Sequence, residues 1–541
     1  MSGNNGHSNQ NNNGREANMP TEAEPHPVFE QLPGVQYCIN SPPPWLETVF
    51  LGFQHYLLAL GSIVLIPSMV VHQMGGSDKD KAKVVQTLLF VSGLNTLLHS
   101  FFGTRLPSVI GGSYAFLIPV TSIIHSKKYT LIQNPEQRFL ETMREIQGAL
   151  ILTSCFQMII GFLGLWRNIV RLFSPLSMVP LITFTGLGLY HLGFPLIAKC
   201  VEVGLPQLII IIFISQYLSR FIKLKRPICD RFALLFSVAI VWLYAEILTW
   251  SGAYKNSKNS SCRTDSSGLI SGASWFYVPF PFQWGPPSFG AGGIFAAIVA
   301  SFVASVESTG SFLAAARYGS ATPVPPSVIS RGIGWLGVGT LINALFGSVT
   351  GSTAIVENAG LLALTKAGSR RVVQISSLFM IFFSVLGKFG AIFASIPSPI
   401  MAASYCMFFG YVSSAGLGYL QFCNLNSFRT KLLLGLSFFI GISLPQYFRD
   451  HYLNSRNDDP THNIHAGWFN DIMCVIFTSN ATVAAVVAVV LDCTLPHGTD
   501  EKERKDNGSY WWDKFMHYNK DIRNDEFYKL PGQLNRYFPP F

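Results

Sequence analysis

About fourteen apolar stretches of membrane-spanning length run through the chain, at approximately 45–71, 82–103, 108–126, 146–166, 173–193, 204–222, 231–250, 291–316, 331–350, 352–366, 371–393, 398–418, 430–447 and 473–493. A helix needs roughly 20 apolar residues to cross a bilayer, and it must satisfy its own backbone because no water is there to do so. The pattern predicts an all-α polytopic membrane protein. Composition agrees: 49% of the 541 residues are hydrophobic, 12% are charged, and the mean hydropathy is +0.33.

An even number of crossings places both termini on one side. The loop after segment six carries Arg220, Lys223, Lys225, Arg226 and Arg231 against Asp230 alone. The loops after segment four (Arg167, Arg171) and segment ten (Lys366, Arg370, Arg371) are basic too, so these loops and both termini are expected to be cytoplasmic. Lys79, Lys81, Lys127 and Lys128 lie in odd-numbered loops and run against the bias. A glycosylation sequon at Asn259 falls in the expected external loop, 251–290. The net charge of +9 is read as loop asymmetry, with no nucleic-acid partner. The nine cysteines lack metal-ligand spacing, and no cofactor or metal is expected. Cys155, Cys406 and Cys474 read as small apolar residues, and Cys262 has no evident partner in its loop. Residues 1–44 are polar and low in complexity, expected to be a disordered cytoplasmic N-terminus without a cleaved signal peptide. Residues 495–541 are expected to form a cytoplasmic tail.

Segment ten departs from the pattern. In Gly351–Lys366 (GSTAIVENAGLLALTK), Gly347 and Gly351 end the preceding helical run, and Ser352, Thr353, Ile355 and Val356 favour extended backbone. Asn358 is suited to cap a short helix over Ala359–Leu364. Glu357 then lies at the positive end of a half-helix inside the membrane, where an acid is a binding-site candidate. Dividing fourteen into seven and seven pairs this break with segment three, which has Pro107, Gly111-Gly112, extended Ser113–Phe116 and Pro119. Paired interruptions in two halves point to an inverted-repeat transporter with its site between them.

Segments one and eight are paired by the same division. The first holds Gln54-His55 mid-span, the second Glu307. Ala296, Ala300, Ala304 and Ser308 form a small-residue row for close helix packing, which turns Glu307 into the protein. Glu307 either binds ligand or is satisfied by helix ends. His55 either joins the site or bridges two helices, and Gln54 either recognises a ligand amide or bonds a neighbouring backbone. A planar ligand with adjacent N–H and C=O groups suits two buried carboxylates, with freed backbone amides for its carbonyls and Phe116 for its face. Buried carboxylates take up protons readily, and a neighbouring pair titrates together, which suits proton coupling.

These residues resemble the signature of the nucleobase–ascorbate transporter family, Gln/Glu/Pro-Asn-x-Gly-x4-Thr-Arg/Lys/Gly, here Glu357-Asn358-Ala359-Gly360 followed by Thr365-Lys366. Gln54-His55 is similar to that family's QH motif, and VENAGLLALTKAGSRRVVQIS looks like the plant branch. The resemblance implies inverted seven-helix repeats with short antiparallel strands in segments three and ten. Its core domain would comprise 45–166 and 291–396, and its gate domain 167–250 and 397–494. It further implies a homodimer with elevator-type motion; separately, a plasma-membrane location is expected. Substrate would be held by Glu307, Glu357, Tyr114, Ala115, Phe116, Val356 and Gln54, and His55, Asn358, Gly360, Thr365 and Lys366 would serve structure or coupling. Glu357 stands where the ascorbate branch has proline, so a nucleobase is implied: uracil, xanthine, uric acid, adenine or guanine. Two positions depart from many relatives, which have an acid or histidine at Ser311 and an aspartate at Gly337.

An ascorbate transporter and an inorganic-anion exchanger of the same architecture are the rival readings, the latter disfavoured by two site carboxylates. No HExxH, GxSxG or phosphate-loop motif marks an enzyme.

Overall fold

The computed structural model describes residues 34–221, 228–254, 260–265, 269–454, 467–495, 499–513, 522–532 and 534–536. Asn259 and residues 1–33 lie outside them. The principal elements are α1 (Trp45–Val70), α2 (Asp78–Phe102), β1 (Ile110–Gly112), α3 (Leu117–Ile124), α4 (Pro135–Phe162), α5 (Pro175–Leu187), α6 (Val201–Ile212), α7 (Ala233–Trp250), α8 (Ala291–Tyr318), α9 (Pro326–Phe346), β2 (Ser352–Ala354), α10 (Val356–Thr365), α11 (Arg370–Val385), α12 (Ser398–Leu417), α13 (Phe428–Phe448) and α14 (Asn480–Thr494).

Among the described residues, nine helices are long and apolar enough to cross a membrane, or eleven if two bent pairs each count as one span. Segments three, six and ten are the shorter elements at α3, α6 and α10. The count of fourteen depends on including these three.

Several boundaries move. Segment four begins at Pro135 and not at 146, because Asn134 caps a polar first turn with proline at its start. Apolar content marks where a helix meets lipid, not where the helix starts. Segments eleven and fourteen, expected as continuous runs, are bent. Gly387–Ala394 turns 112° from α11, and α14 turns 81° from Gly467–Thr478. At the second bend Ser479 starts a new helix by accepting a hydrogen bond from the Thr482 amide.

Packing repeats with a shift of seven. α1 packs on α11 as α8 packs on α4, and α2 packs on α11 as α9 packs on α4. α1 touches α10 just as α8 touches α3. Adding seven exchanges the partners of these pairs, as two halves of one repeated unit require.

The start of the chain corrects the sequence expectation. Residues 36–41 are packed, not disordered: Ile39 is buried, the Gln36 amide donates to Lys366 O at 3.0 Å, and the Arg370 amide donates to Ile39 O at 3.0 Å. The tail is folded back, with Tyr528 and Asp506 buried. Cys262 has a partner after all, in a disulfide with Cys200. Their separation of 62 positions leaves no spacing signal, since Cys200 sits at the start of α6 and Cys262 in the loop after α7.

The lysines that ran against the charge bias include two in ion pairs: Lys81 with Asp78 at 3.2 Å and Lys128 with Glu145 at 3.0 Å. Burial, then a hydrogen bond to Glu145, pushes the neighbouring Tyr129 phenol up to about 12.

Candidate functional site

Gly347 adopts φ 75° and ends α9, and the chain then runs extended through β2. β2 pairs antiparallel with β1, with Ile110 opposite Ala354, Gly111 opposite Thr353 and Gly112 opposite Ser352. The ladder continues at both ends: Ser113 N–H donates to Gly351 O at 3.1 Å and Ile355 N–H to Val109 O at 2.9 Å. The two breaks read from the sequence therefore meet each other.

Side chains from four helices complete the strands' hydrogen bonding. Thr96 of α2 exchanges bonds with the Ile110 backbone at 2.9 and 3.2 Å. From α9, Asn343 donates to Thr350 O at 3.0 Å and Thr340 accepts from the Ser352 amide at 3.1 Å. Ser308 of α8 meets Thr353 Oγ1 at 2.8 Å and accepts from the Ala354 amide at 3.2 Å. Gln157 of α4 accepts from Thr340 at 3.1 Å. Buried irregular backbone in a membrane protein requires this kind of support.

Each strand leads straight into a half-helix. Ser113 caps a 3-10 turn at Tyr114–Phe116 that enters α3. α10 starts at Val356, three residues before the expected Ala359, and its preceding residue Ile355 supplies no side-chain cap. Asn358 is therefore not the cap. It lies inside the first turn and donates instead to His55 Nδ1 and His55 O, both at 3.0 Å. The acceptor role of Nδ1 assigns the ring proton to Nε2 in a neutral imidazole. His55 thus bridges α1 to α10.

Glu357 is buried in that first turn, and its Oε1 has no hydrogen-bond partner. Ser62 of α1 is within hydrogen-bonding reach of the carboxylate. The phenols of Tyr114 and Tyr405 (α12) lie within electrostatic range, and their buried hydroxyls also lack partners. Buried polar atoms are ordinarily paired, so three such atoms around one acid mark a place built to meet a polar ligand. Phe116 is buried beside them, and a Cβ at Gly351 would come within 2.6 Å of its ring. Ala115 is half-buried in the same turn, and Val356 is buried at the start of α10.

Glu307 lies next to Ser308, and thus beside β2, but its Oε1 accepts from Ser479 at 2.7 Å at the bend before α14. Arg449 is within electrostatic range of it. Gln54 donates its amide to Arg231 O at 3.0 Å, and its buried Oε1 has no partner. Gly360 faces α12 so closely that a Cβ there would overlap the Phe408 backbone. Thr365 donates to Leu361 O at 2.9 Å, and Lys366 ends α10 at φ 53°, about 13.5 Å along the helix from Glu357. Ser62, Tyr405 and Ser479 were not singled out in the sequence. Only the Ser479-Asn480 pair after an apolar run carried a cap signal.

Two predictions arise from this geometry. Asn358→Ala leaves His55 Nδ1 buried without a donor, costing about 1–3 kcal/mol. The midpoint of thermal unfolding of the purified protein is expected to fall by a few degrees; an unchanged midpoint contradicts the bridge. At Gly337 a Cβ would approach Met158 N to 2.7 Å on α4. Gly337→Asp, which restores the residue of many relatives, is expected to reduce folded protein in the membrane several-fold, as read by fluorescence-detected size exclusion.

Two breaks joined by strands at the centre of a repeated helical bundle, with an acid at the start of a half-helix, define a membrane transporter. The Permease family model (Xan_ur_permease) matches residues 46–450. Putative nucleobase-ascorbate transporter 10 of Arabidopsis thaliana is 60% identical over 538 residues, 98% of each chain. Nucleobase-ascorbate transporter 7 of the same plant is 58% identical over 519 residues, 95% of this chain and 96% of that one. The chain belongs to the plant nucleobase–ascorbate transporter family. Among solved structures it is similar to the murine solute carrier 26 family member A9 anion transporter, at 14% identity and TM-score 0.44, over 84% of this chain and 71% of that chain.

Proposed function

We propose that this transporter imports nucleobases (uracil, xanthine, uric acid, adenine or guanine) across the plasma membrane by proton symport. The observation that carries this reading is the buried Glu357 carboxylate, with an unpartnered oxygen beside the unpartnered phenols of Tyr114 and Tyr405. A nucleobase ring offers N–H to the acid and C=O to a phenol or to an amide at the start of α10. Its flat face fits against Phe116. Ascorbate has no ring N–H to offer the acid.

In this reading Glu307, Glu357, Tyr114, Ala115, Phe116 and Val356 hold substrate, and the two acids exchange the proton. The core (45–166, 291–396) travels against the gate (167–250, 397–494) in an elevator motion within a homodimer. The Glu307–Ser479 hydrogen bond crosses from core to gate, so a charge change at Glu307 can bias that motion. The Cys200–Cys262 disulfide supports an external placement for the loop after α7, since disulfides form in oxidising compartments, and hence cytoplasmic termini.

The test is uptake of radiolabelled uracil, xanthine, uric acid, adenine and ascorbate in a transporter-deficient host, with and without a protonophore. At least one nucleobase is expected to accumulate, and the protonophore to abolish accumulation. Ascorbate uptake with which no nucleobase competes would sink the proposal.

A further inference from the structure

The loop joining α7 to α8 changes character along its length. Residues 251–265 carry Lys255, Lys258, Arg263 and Asp265, which suits a loop in water. Residues 269–290 (LISGASWFYVPFPFQWGPPSFG) carry no charged side chain and hold seven aromatic residues. That is the composition of a membrane segment, yet prolines at 279, 281, 286 and 287 bar a continuous helix.

The second half of the loop is fixed to the helical bundle. Tyr277 N–H donates to Val385 O at 3.0 Å at the end of α11, and Phe282 N–H donates to Leu345 O at 2.7 Å near the end of α9. Gln283 Nε2 donates to Phe346 O at 2.6 Å and to Thr87 Oγ1 of α2 at 3.0 Å. The buried Trp284 donates its indole N–H to Gly347 O at 3.0 Å and packs edge-on against Phe139, with ring centres 5.1 Å apart. With Tyr277, Gln283 and Trp284 engaged inward, the neighbouring side chains point out. Trp275, Phe276, Val278, Phe280 and Phe282 are 65%, 73%, 62%, 57% and 45% exposed. Phe282 even holds a left-handed backbone, φ 56°, which an aromatic residue adopts only at a cost.

Five large apolar side chains presented by one fixed segment mark a contact surface, for lipid or for protein. Two observations favour lipid. The first is depth. Gly347, which holds Trp284, is five residues from Ser352 of β2, a reach of at most about 18 Å. With the strand pair at the midplane, as paired half-helices require, this tether lies inside the headgroup layer, whose outer edge is about 20–22 Å from the midplane. The second is chemistry. Aromatic rings gather at membrane–water interfaces, and the two prolines among the exposed residues have no N–H that water must satisfy.

We propose that residues 275–282 lie in the membrane–water interface, a lipid-contacting rim beside the turn that leads into β2, while the first half of the loop stands in water. The partner is the phospholipid interface itself. With no charged side chain in 269–290, the rim needs no anionic headgroup, and zwitterionic lipid suffices. Neither the substrate nor the elevator motion enters this inference.

The experiment places a spin-labelled non-natural amino acid singly at Phe276, Val278 or Phe280 of the full chain, reconstituted in phosphatidylcholine vesicles. All three side chains are exposed, so the label displaces no packed neighbour, and the three positions report independently. Exposed Asp265, in the first half of the same loop, is the water reference, and exposed Leu243 of α7 is the lipid reference. Relaxation of the label by oxygen, which concentrates in lipid, is compared with relaxation by a water-soluble nickel chelate. The oxygen-to-nickel ratio at the three loop positions is expected to exceed that at Asp265 several-fold and to approach that at Leu243. Ratios equal to that at Asp265 put the segment in water and overturn the proposal. Protection from both reagents assigns the patch to a protein contact, such as a second copy of the chain, and likewise overturns it.

Discussion

Glu357→Gln lowers nucleobase uptake per transporter at the cell surface by about 100-fold. The amide keeps the shape of the side chain but replaces a charged acceptor with a neutral one. It also turns an NH₂ toward a ligand N–H in one orientation. Hydrogen bonds to charged groups contribute roughly 1.5–3 kcal/mol against about 1 for neutral ones, so losing two approaches ~3 kcal/mol, or about two powers of ten in affinity. The change should leave the fold intact, since the carboxylate oxygen concerned has no partner in the protein. Glu357→Pro should be equally inactive toward nucleobases. Uptake within a few-fold of wild type for either variant, at equal surface abundance, would place the site elsewhere.

Glu307→Gln is expected to act differently. Its acceptor oxygen toward Ser479 is kept by the amide, so the core-to-gate contact survives. What disappears is a group able to take up and release a proton. Accumulation against a gradient should fall to the level seen with a protonophore. Exchange of internal for external substrate, which needs no net proton movement, should persist. Full accumulation by this variant would remove Glu307 from the coupling path and leave Glu357 as the remaining site acid. Loss of both accumulation and exchange would make its share in holding substrate, and not proton coupling, the dominant role of Glu307.

The transport site was legible where function breaks local rules. Glycine and extended-favouring residues inside apolar runs located both breaks and a shift of seven paired them, while the antiparallel strands Ile110–Gly112 and Ser352–Ala354 were implied by the family resemblance. Asn358 engages both the ring and the backbone of His55, a contact between helices that the sequence offered only as one of two alternatives. Asn358 itself was misread because its side chain serves a distant helix and not its own. A propensity for capping says nothing about that competition. Gln54 likewise satisfies the neighbouring-backbone alternative through Arg231. Ser62 and Tyr405 are single polar residues within apolar helices, with no period or motif to mark them, and they matter only because tertiary packing brings them to Glu357. The close approach of α4 to Gly337, where a Cβ would lie 2.7 Å from Met158 N, is a constraint that no single sequence displays. The folded tail was hidden for a similar reason: the hydrogen-bond partners of Asp506 and Tyr528 lie far away in sequence.

The most direct test of the account is a structure of the full-length protein with a transported nucleobase bound. The account predicts the ring at the strand pair, with a ring N–H within hydrogen-bonding distance of Glu357, one face against Phe116, and the Tyr114 or Tyr405 hydroxyl engaged. A nucleobase bound elsewhere, with the Glu357 oxygen and both phenols still unpartnered, would contradict it.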